Sequence, residues 1–233
     1  MAEKDSTLRI GAIVFPEMDQ IDLTGPLEVL SRIPGATFNL CWKELAPVRD
    51  VKGFTITPDT RFGEAPDFDL LVVPGGWGQE KLMDDEEVLG FIRNHAARGR
   101  VVFSVCTGAL LCGAAGILRS VKSTTHWASH HLLPYFGAIA VNARVDRDRN
   151  HISAAGVTSG IDGALEVAAF LRGDEIAQQI QLQLEYAPEP PFASGTPDSA
   201  PPEVLEAVRR TLGPISDARL ATAKRCARRL GIV

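Results

Sequence analysis

The sequence lacks the features of a nucleic-acid-binding protein and of a membrane protein. Its 24 Lys and Arg residues are outnumbered by 29 Asp and Glu, which gives a formal net charge of −5, and it contains no basic run. Proteins bind nucleic acid through clustered positive charge, so nucleic acid is not expected as a partner. No apolar run reaches the roughly 18 residues of a membrane span, so no membrane partner is expected either.

Cysteine is scarce, and its spacing excludes two common roles. The four cysteines form no C-x-x-C pair, so neither a zinc site nor a disulfide framework is expected in a chain of this size. The N-terminal segment Met-Ala-Glu-Lys-Asp-Ser-Thr is polar and carries acids, unlike a signal peptide. We therefore expect a cytoplasmic protein with reduced thiols. The cysteines are Cys41, Cys106, Cys112 and Cys226.

Two further motifs are missing. His126 and His130 are four residues apart, with His131 beside them, but no carboxylate of an H-E-x-x-H pattern lies between them. The glycine-rich stretch 74–78 lacks the GxxxxGK[ST] pattern of a phosphate-binding loop. We expect neither a metal nor an organic cofactor.

What the sequence does contain is an alternation of apolar strands and helices. With 233 residues, 45% of them apolar, the chain is long enough for one α/β domain spanning residues 1–233. The pattern predicts a doubly wound, mostly parallel sheet of the flavodoxin-like type, flanked by helices. The main strands are predicted at 8–15, 38–42, 68–73 and 101–105, with antiparallel excursions at 48–57 and 143–154.

The C-terminal part is predicted to be a helical extension at about 203–230. The sequence predicts two separate helices there, at 203–212 and 216–230. The second stretch ends in a basic cluster of Arg225, Arg228 and Arg229, which we interpret as a solvated face favoured by the helix dipole.

The most informative stretch runs from Val101 to Leu111. Five apolar-rich residues lead to Cys106, which is followed by Thr-Gly-Ala and a helical apolar run. This pattern predicts a strand–Cys–helix nucleophile elbow, whose sharp turn requires small residues such as Gly108 and Ala109. The helix N-terminus would then point N–H groups at the sulfur, which predicts a lowered thiol pKa. A small buried core cysteine is the alternative.

Two other loops are predicted to meet Cys106 at the carboxyl edge of the sheet, where open α/β folds bind ligands. Asp22 follows the first strand, just before a helix that Thr24 would cap. Gly75, Gly76 and Trp77 follow the strand 68–73, where glycine N–H groups can converge on a substrate. A capping aspartate and a simple tight turn are the alternative readings. The convergence of three loops is the argument for a thiol-based active site.

His126 is a fourth candidate. It begins a helix after a run of hydroxyl residues, and it is a possible general base or a hydrogen-bonding group near the sulfur. A structural histidine that packs and caps is the alternative. We assign it, with Gly75, Gly76 and Trp77, to substrate binding.

These residues together resemble the ThiJ/PfpI branch of the class I glutamine amidotransferase-like superfamily, and within it the isocyanide hydratases. The resemblance spans about residues 8–201. It rests on five segments: Asp22-Leu23-Thr24-Gly25-Pro26, Ser104-Val105-Cys106-Thr107-Gly108, Thr124-Thr125-His126-Trp127-Ala128, Gly160-Ile161-Asp162 and Gln181-Leu182-Gln183-Leu184-Glu185-Tyr186-Ala187-Pro188.

The resemblance implies specific roles and a specific reaction. Cys106 would be the nucleophile, Asp22 the general acid and base, and Thr107 a residue that orders the site through its hydroxyl. The implied enzyme is a homodimeric hydro-lyase that converts isocyanides to N-formamides through a thioimidate on Cys106. Proteases of this superfamily have histidine where Thr107 stands, and its glyoxalase-like members usually have glutamate where Asp22 stands.

Two alternative functions remain open within the same fold. One is a glyoxalase or deglycase that acts on 2-oxoaldehydes. The other is a non-enzymatic ligand or redox sensor, since ligand-sensing domains of AraC-type regulators share much of the pattern. Such regulators need a DNA-binding region of about a hundred residues, and only 41 residues follow Phe192.

Overall fold

The protein is built around a central sheet in the computed structural model, which describes residues 7–232. The strands are β1 (Leu8–Ile13), β2 (Ala36–Trp42), β3 (Val48–Arg49), β4 (Thr55–Ile56), β5 (Thr60–Arg61), β6 (Leu70–Val73), β7 (Val101–Val105), β8 (Lys122–Ser123), β9 (Ile139–Ala140), β10 (Val145–Asp148) and β11 (His151–Ala154).

The large sheet has seven strands in the order β10-β11-β7-β6-β1-β2-β5. Every neighbouring pair is parallel except β10 and β11, which form an antiparallel hairpin. Strands β3 and β4 form the small antiparallel excursion predicted from the sequence, and β8 pairs with β9 in parallel. The predicted mostly parallel α/β sheet is therefore confirmed.

Helices cover this sheet in two groups. Helices α1 and α6 both pack on α5, which also contacts β7 and β11. In the second group, α4 and α7 pack on a 3-10 segment at Trp127–Phe136, and α3 packs on α4. The helices are α1 (Gln20–Leu30), α2 (Gln79–Leu82), α3 (Glu86–Ala97), α4 (Gly108–Ala114), α5 (Ser159–Arg172), α6 (Asp174–Gln183) and α7 (Pro202–Arg229).

Apolar burial on both faces explains why the central strands are recognisable in the sequence. All four residues of β6 and all five of β7 are buried. A parallel sheet covered by helices on its faces needs such continuous apolar strands rather than alternating ones. The carboxyl ends of β1, β6 and β7 consequently lie side by side and place three loops at one edge.

The predicted break in the C-terminal extension is wrong. The structure has one helix, α7, which continues through Pro214. A proline removes one backbone N–H donor and usually kinks or ends a helix. Here α7 packs along the 3-10 segment on both sides of Pro214: Leu212 and Ser216 line a cavity together with Trp127. Tertiary packing thus outweighs the local cost of the proline.

The basic end of α7 is only partly a solvated face. Arg228 is exposed, as predicted, but Arg225 and Arg229 both form ion pairs with Asp84, at 2.6 and 3.0 Å. Arg229 also donates to the Met83 carbonyl at 2.8 Å. These contacts join the end of α7 to the loop after α2.

No helix within residues 7–232 has both the length and the apolar character that a bilayer crossing demands.

Candidate active site

Cys106 lies at the predicted elbow between β7 and α4. Its φ angle is +54°, in the left-handed region that costs a non-glycine residue about 1–2 kcal/mol. Hydrogen bonds on both sides hold this conformation: the Cys106 amide donates to Ala154 O at 3.0 Å, and Thr125 Oγ1 donates to Cys106 O at 2.7 Å. Strain of this kind is typical of functional sites, because only the surrounding structure can maintain it.

Gly108 shows why the elbow needs a small residue. A Cβ atom added there would overlap the carbonyl oxygen of Val73 at the end of the neighbouring strand. The requirement predicted from the sequence therefore comes from the close approach of two backbones, β6 and the start of α4.

We expect Gly108→Ala to lower the free energy of unfolding by about 3 kcal/mol or more, because a backbone carbonyl cannot rotate away as a side chain can. Gly90→Ala is the matched control: it lies in α3, and an added Cβ has nothing within 4 Å. That variant should gain up to about 1 kcal/mol from helix propensity. Urea unfolding of both variants measures the difference, and equal stabilities would contradict the proposed clash.

Asp22 lies in the first turn of α1 and is completely buried. Its Oδ2 accepts a hydrogen bond from Gly75 N at 3.0 Å. Its Oδ1 is buried and has no conventional hydrogen-bond partner among the described residues. The predicted cap at Thr24 is wrong, since α1 begins at Gln20 after Asp19, and the Thr24 hydroxyl instead donates to Gln20 Oε1 at 2.7 Å.

The pKa of Asp22 is raised well above 3.8, chiefly by burial and secondarily by the negative charge of Asp19. The hydrogen bond from Gly75 N, the neighbouring Cys106 thiol and the charge of Arg219 oppose this rise. The carboxyl is therefore a group that holds a proton more readily than an ordinary aspartate does. This environment is what a reversible general acid and base requires.

The Cys106 thiol does not have the lowered pKa expected from the helix N-terminus. Burial, followed by the charge of Asp22, raises its pKa well above 9.0. The Thr107 N–H does act in the predicted direction, but its effect is smaller. Cys106 is only 6% exposed, so loss of water outweighs the helix field. Asp22 and Cys106 therefore form a coupled pair in which a second negative charge is strongly disfavoured.

The Gly75–Gly76 turn connects the aspartate to the elbow. Gly75 N donates to Asp22 Oδ2, and Gly76 N donates to Thr107 Oγ1 at 3.2 Å. Both residues must be glycine: a Cβ on Gly75 would lie 2.6 Å from Thr107 N, and Gly76 has a φ of +135°. The two N–H groups that we assigned to substrate are thus occupied by site side chains in this structure, and they orient Asp22 and Thr107.

Arg219 is the site residue that sequence analysis missed. It lies on α7 and is 5% exposed. Its Nη2 donates to Gly76 O at 2.7 Å, and its Nε donates to Gln79 Oε1 at 3.2 Å. In the sequence it is one arginine in a helix of several, and only its position next to small residues on an amphipathic face distinguishes it from the exposed ones.

The remaining candidates lie around this centre. His126 caps the 3-10 segment by accepting from Ala128 N, and burial, with a smaller contribution from Arg219, lowers its pKa to about 4. It is therefore a neutral imidazole near neutral pH. Trp77 is 52% exposed, and its backbone N–H donates to Glu17 O. His130 Nε2 donates to Val141 O at 2.9 Å.

The chain is similar to known proteins in sequence and in fold. Residues 8–169 match the model of the DJ-1/PfpI family. An isonitrile hydratase from Pseudomonas putida is 48% identical over 225 residues, which cover 97% of this chain and 99% of the relative. A crystal structure of a THiJ/PfpI family protein from Pseudomonas syringae has 38% identity and a TM-score of 0.91, and covers 94% of this chain and 91% of that one.

A regulator shares part of the chain. The HTH-type transcriptional regulator GbdR from Pseudomonas aeruginosa is 30% identical over 136 residues, which are 58% of this chain and 37% of the regulator. By contrast, the hydratase from Pseudomonas putida matches from end to end. The fold, the strained cysteine at the elbow and the family-model match lead to one conclusion: the chain belongs to the DJ-1/PfpI family.

Proposed function

We propose that this protein hydrates isocyanides to N-formamides, with Cys106 as the nucleophile and Asp22 as the general acid and base. The observation that carries the proposal is the buried Asp22–Cys106 pair, held by Gly75, in a chain 48% identical to an isonitrile hydratase over nearly its full length. The terminal carbon of an isocyanide must gain both a nucleophile and a proton. A thiol next to a carboxyl with a raised pKa supplies both.

The first half-reaction forms a thioimidate. The pair begins with one proton, shared between the Cys106 sulfur and the Asp22 carboxylate. The sulfur bonds to the terminal carbon of R–N≡C while Asp22 passes that proton to the same carbon, which gives R–N=CH–S–Cys106. Asp22 is again a carboxylate. The isocyanide carbon is terminal and slender, so it suits a cysteine that is only 6% exposed.

The second half-reaction releases the product. Asp22 takes a proton from water as the hydroxyl adds to the thioimidate carbon, and passes it to nitrogen. The tetrahedral adduct then collapses: its hydroxyl proton returns to the pair, the C–S bond breaks, and R–NH–CHO leaves. Thr107 supports these steps by accepting from the Gly76 amide, and its hydroxyl donates only a long hydrogen bond to Gly76 O, with an Oγ1–O distance of 3.4 Å.

The raised thiol pKa also bears on the alternatives. A redox sensor needs a thiolate that peroxide reaches easily, whereas burial and Asp22 both disfavour the Cys106 thiolate. A glyoxalase-type reaction needs its base to remove a proton from a carbon next to a carbonyl. Asp22 sits deep against the sulfur and the Gly75 amide, an arrangement better suited to delivering a proton to a carbon bound by that sulfur.

The test is direct. The purified protein is incubated with a simple alkyl isocyanide, formamide is followed by NMR, and the Cys106 peptide is examined by mass spectrometry after acid quench. We expect formamide and an adduct of one isocyanide mass on Cys106. Consumption of methylglyoxal with no formamide would replace this proposal with the glyoxalase reaction. Inertness to both, with rapid oxidation of Cys106 to sulfinate, would favour the sensor.

We further infer that the active form is a homodimer. Two apolar side chains, Phe54 and Trp77, are exposed on neighbouring loops. Each loop donates a backbone hydrogen bond to the Glu17–Met18 turn beside the site. Exposed apolar side chains beside a site are typical of an interface between proteins. We therefore place Trp77 at an entrance to the site that two copies of the chain share. Sedimentation equilibrium of the purified chain decides between one and two copies.

A further inference from the structure

We propose that Arg219 is a positioning residue of the hydratase site: it fixes the Gly76 carbonyl and places a buried positive charge beside the Asp22–Cys106 pair. This inference rests on the proposed function for its catalytic consequence. Its structural part, the effect of Arg219 on the thiol, can be measured without any isocyanide.

The hydrogen bonds make Gly76 the point at which α7 acts on the site. Arg219 holds the carbonyl side of Gly76, while the amide side of the same residue donates to Thr107. The preceding amide, Gly75 N, holds Asp22. A shift of this short turn would therefore move the partners of both side chains, and displacements of about 1 Å in a site can cost about a hundredfold in rate.

Gln79 fixes the guanidinium in turn. Arginine has only donors, so the Gln79 atom that faces Arg219 Nε must be the amide oxygen. Gln79 is completely buried at the start of α2. The side chain of Arg219 is therefore held at two points, by a backbone carbonyl and by an oriented amide, and its planar fork reproduces a fixed geometry that a lysine would not.

The charge of Arg219 has an unusual environment. It is buried, yet within residues 7–232 it forms no ion pair, since its two hydrogen-bond acceptors are neutral oxygens. An uncompensated buried charge is costly. The negative groups that favour its charged form are Cys106, Glu80 and Asp22. The guanidinium therefore balances the single negative charge that the Asp22–Cys106 pair carries during turnover.

Arg219 lies outside the part of the chain that matches the family model. It lies on α7, fifty residues beyond the segment 8–169 that matches the family model. The elbow, Asp22 and the glycine turn all fall within that segment. Helix α7 thus contributes a cation to a site whose other parts belong to the common fold, and Arg225 and Arg229 fasten the same helix to Asp84.

The experiment compares Arg219→Met and Arg219→Lys with Arg228→Met, which removes a charge from the exposed face of the same helix. The rate of Cys106 alkylation by iodoacetamide is measured against pH by peptide mass spectrometry, alongside kcat and KM for an alkyl isocyanide. We expect Arg219→Met to shift the alkylation profile upward by about one pH unit and to lower kcat by about 10–100-fold. Arg219→Lys keeps the charge but not the two-point geometry, so its alkylation profile should stay closer to that of the wild type than its kcat does. Arg228→Met should match the wild type in both.

The possible outcomes distinguish the role of Arg219 from the proposed hydration reaction. An unchanged alkylation profile in both Arg219 variants, with folded proteins by circular dichroism, would overturn the role of Arg219 whatever the turnover. A shifted profile in a protein that never hydrates isocyanides would support Arg219 and refute the proposed reaction. A loss of kcat that follows only a loss of thermal stability, with no shift in the profile, would mean that Arg219 is merely structural. If Arg219→Met does not fold, Arg219→Gln, which also removes the charge, takes its place in the alkylation and turnover measurements.

Discussion

Replacing Cys106 with alanine is expected to reduce isocyanide hydration to the uncatalysed background, a loss on the order of 10,000-fold or more. The reaction divides into two steps only because sulfur bonds to the isocyanide carbon, and an alanine methyl group cannot do so. Alanine keeps the positive φ of the elbow, so the backbone strain and the fold should be little changed. Formamide production and the Cys106 peptide adduct should disappear together.

A matched control exists in the same helix–strand unit. Cys112 is also completely buried, lies in α4, and has its pKa raised by burial alone. Cys112→Ala should keep near-wild-type turnover, because its thiol faces the core rather than Asp22. Near-wild-type activity in Cys106→Ala, or equal losses in both variants, would refute the role of Cys106 as nucleophile.

Replacing Asp22 with asparagine should lower turnover by about 100–10,000-fold, the usual contribution of a general acid and base. Asparagine can still accept from Gly75 N, so the site keeps its shape but loses the group that moves the proton. In the wild type, activity should fall as the pH drops through the raised pKa of the pair, above the ordinary 3.8 of aspartate. That acid limb should be absent from the residual activity of Asp22→Asn.

The same substitution should change stability in a pH-dependent manner. Because the folded-state pKa of Asp22 is raised, its contribution to stability is present below the unfolded pKa of about 4 and is lost as pH rises through the folded pKa. Asp22→Asn should therefore be more stable than the wild type by about 1–3 kcal/mol at pH 8 and should lose this advantage near pH 4.

Denaturant unfolding at both pH values measures this difference. Asp146→Asn, a partly buried carboxylate on β10 away from the elbow, is the control and should leave turnover unchanged. A fully active Asp22→Asn, or one whose stability advantage grows as pH falls, would contradict the assignment of Asp22.

The sequence by itself determined the sheet and the elbow. Strands such as β6 and β7 are apolar at every position because they are buried on both faces, and this property is visible in a short window. The elbow is visible for the same reason: Cys106, Thr107 and Gly108 are adjacent in the chain, and the turn itself requires the small residue. Asp22 was placed at the same edge because parallel strands end together.

Tertiary structure decided the electrostatics and the long-range contacts. The thiol pKa is raised rather than lowered, because burial and Asp22, 84 positions earlier, outweigh the local helix terminus. Arg219 reaches Gly76 across 143 positions, and the continuity of α7 through Pro214 depends on packing against the 3-10 segment. Local patterns encode burial and turn geometry, whereas the charge and solvation of a side chain depend on what the rest of the chain brings to it.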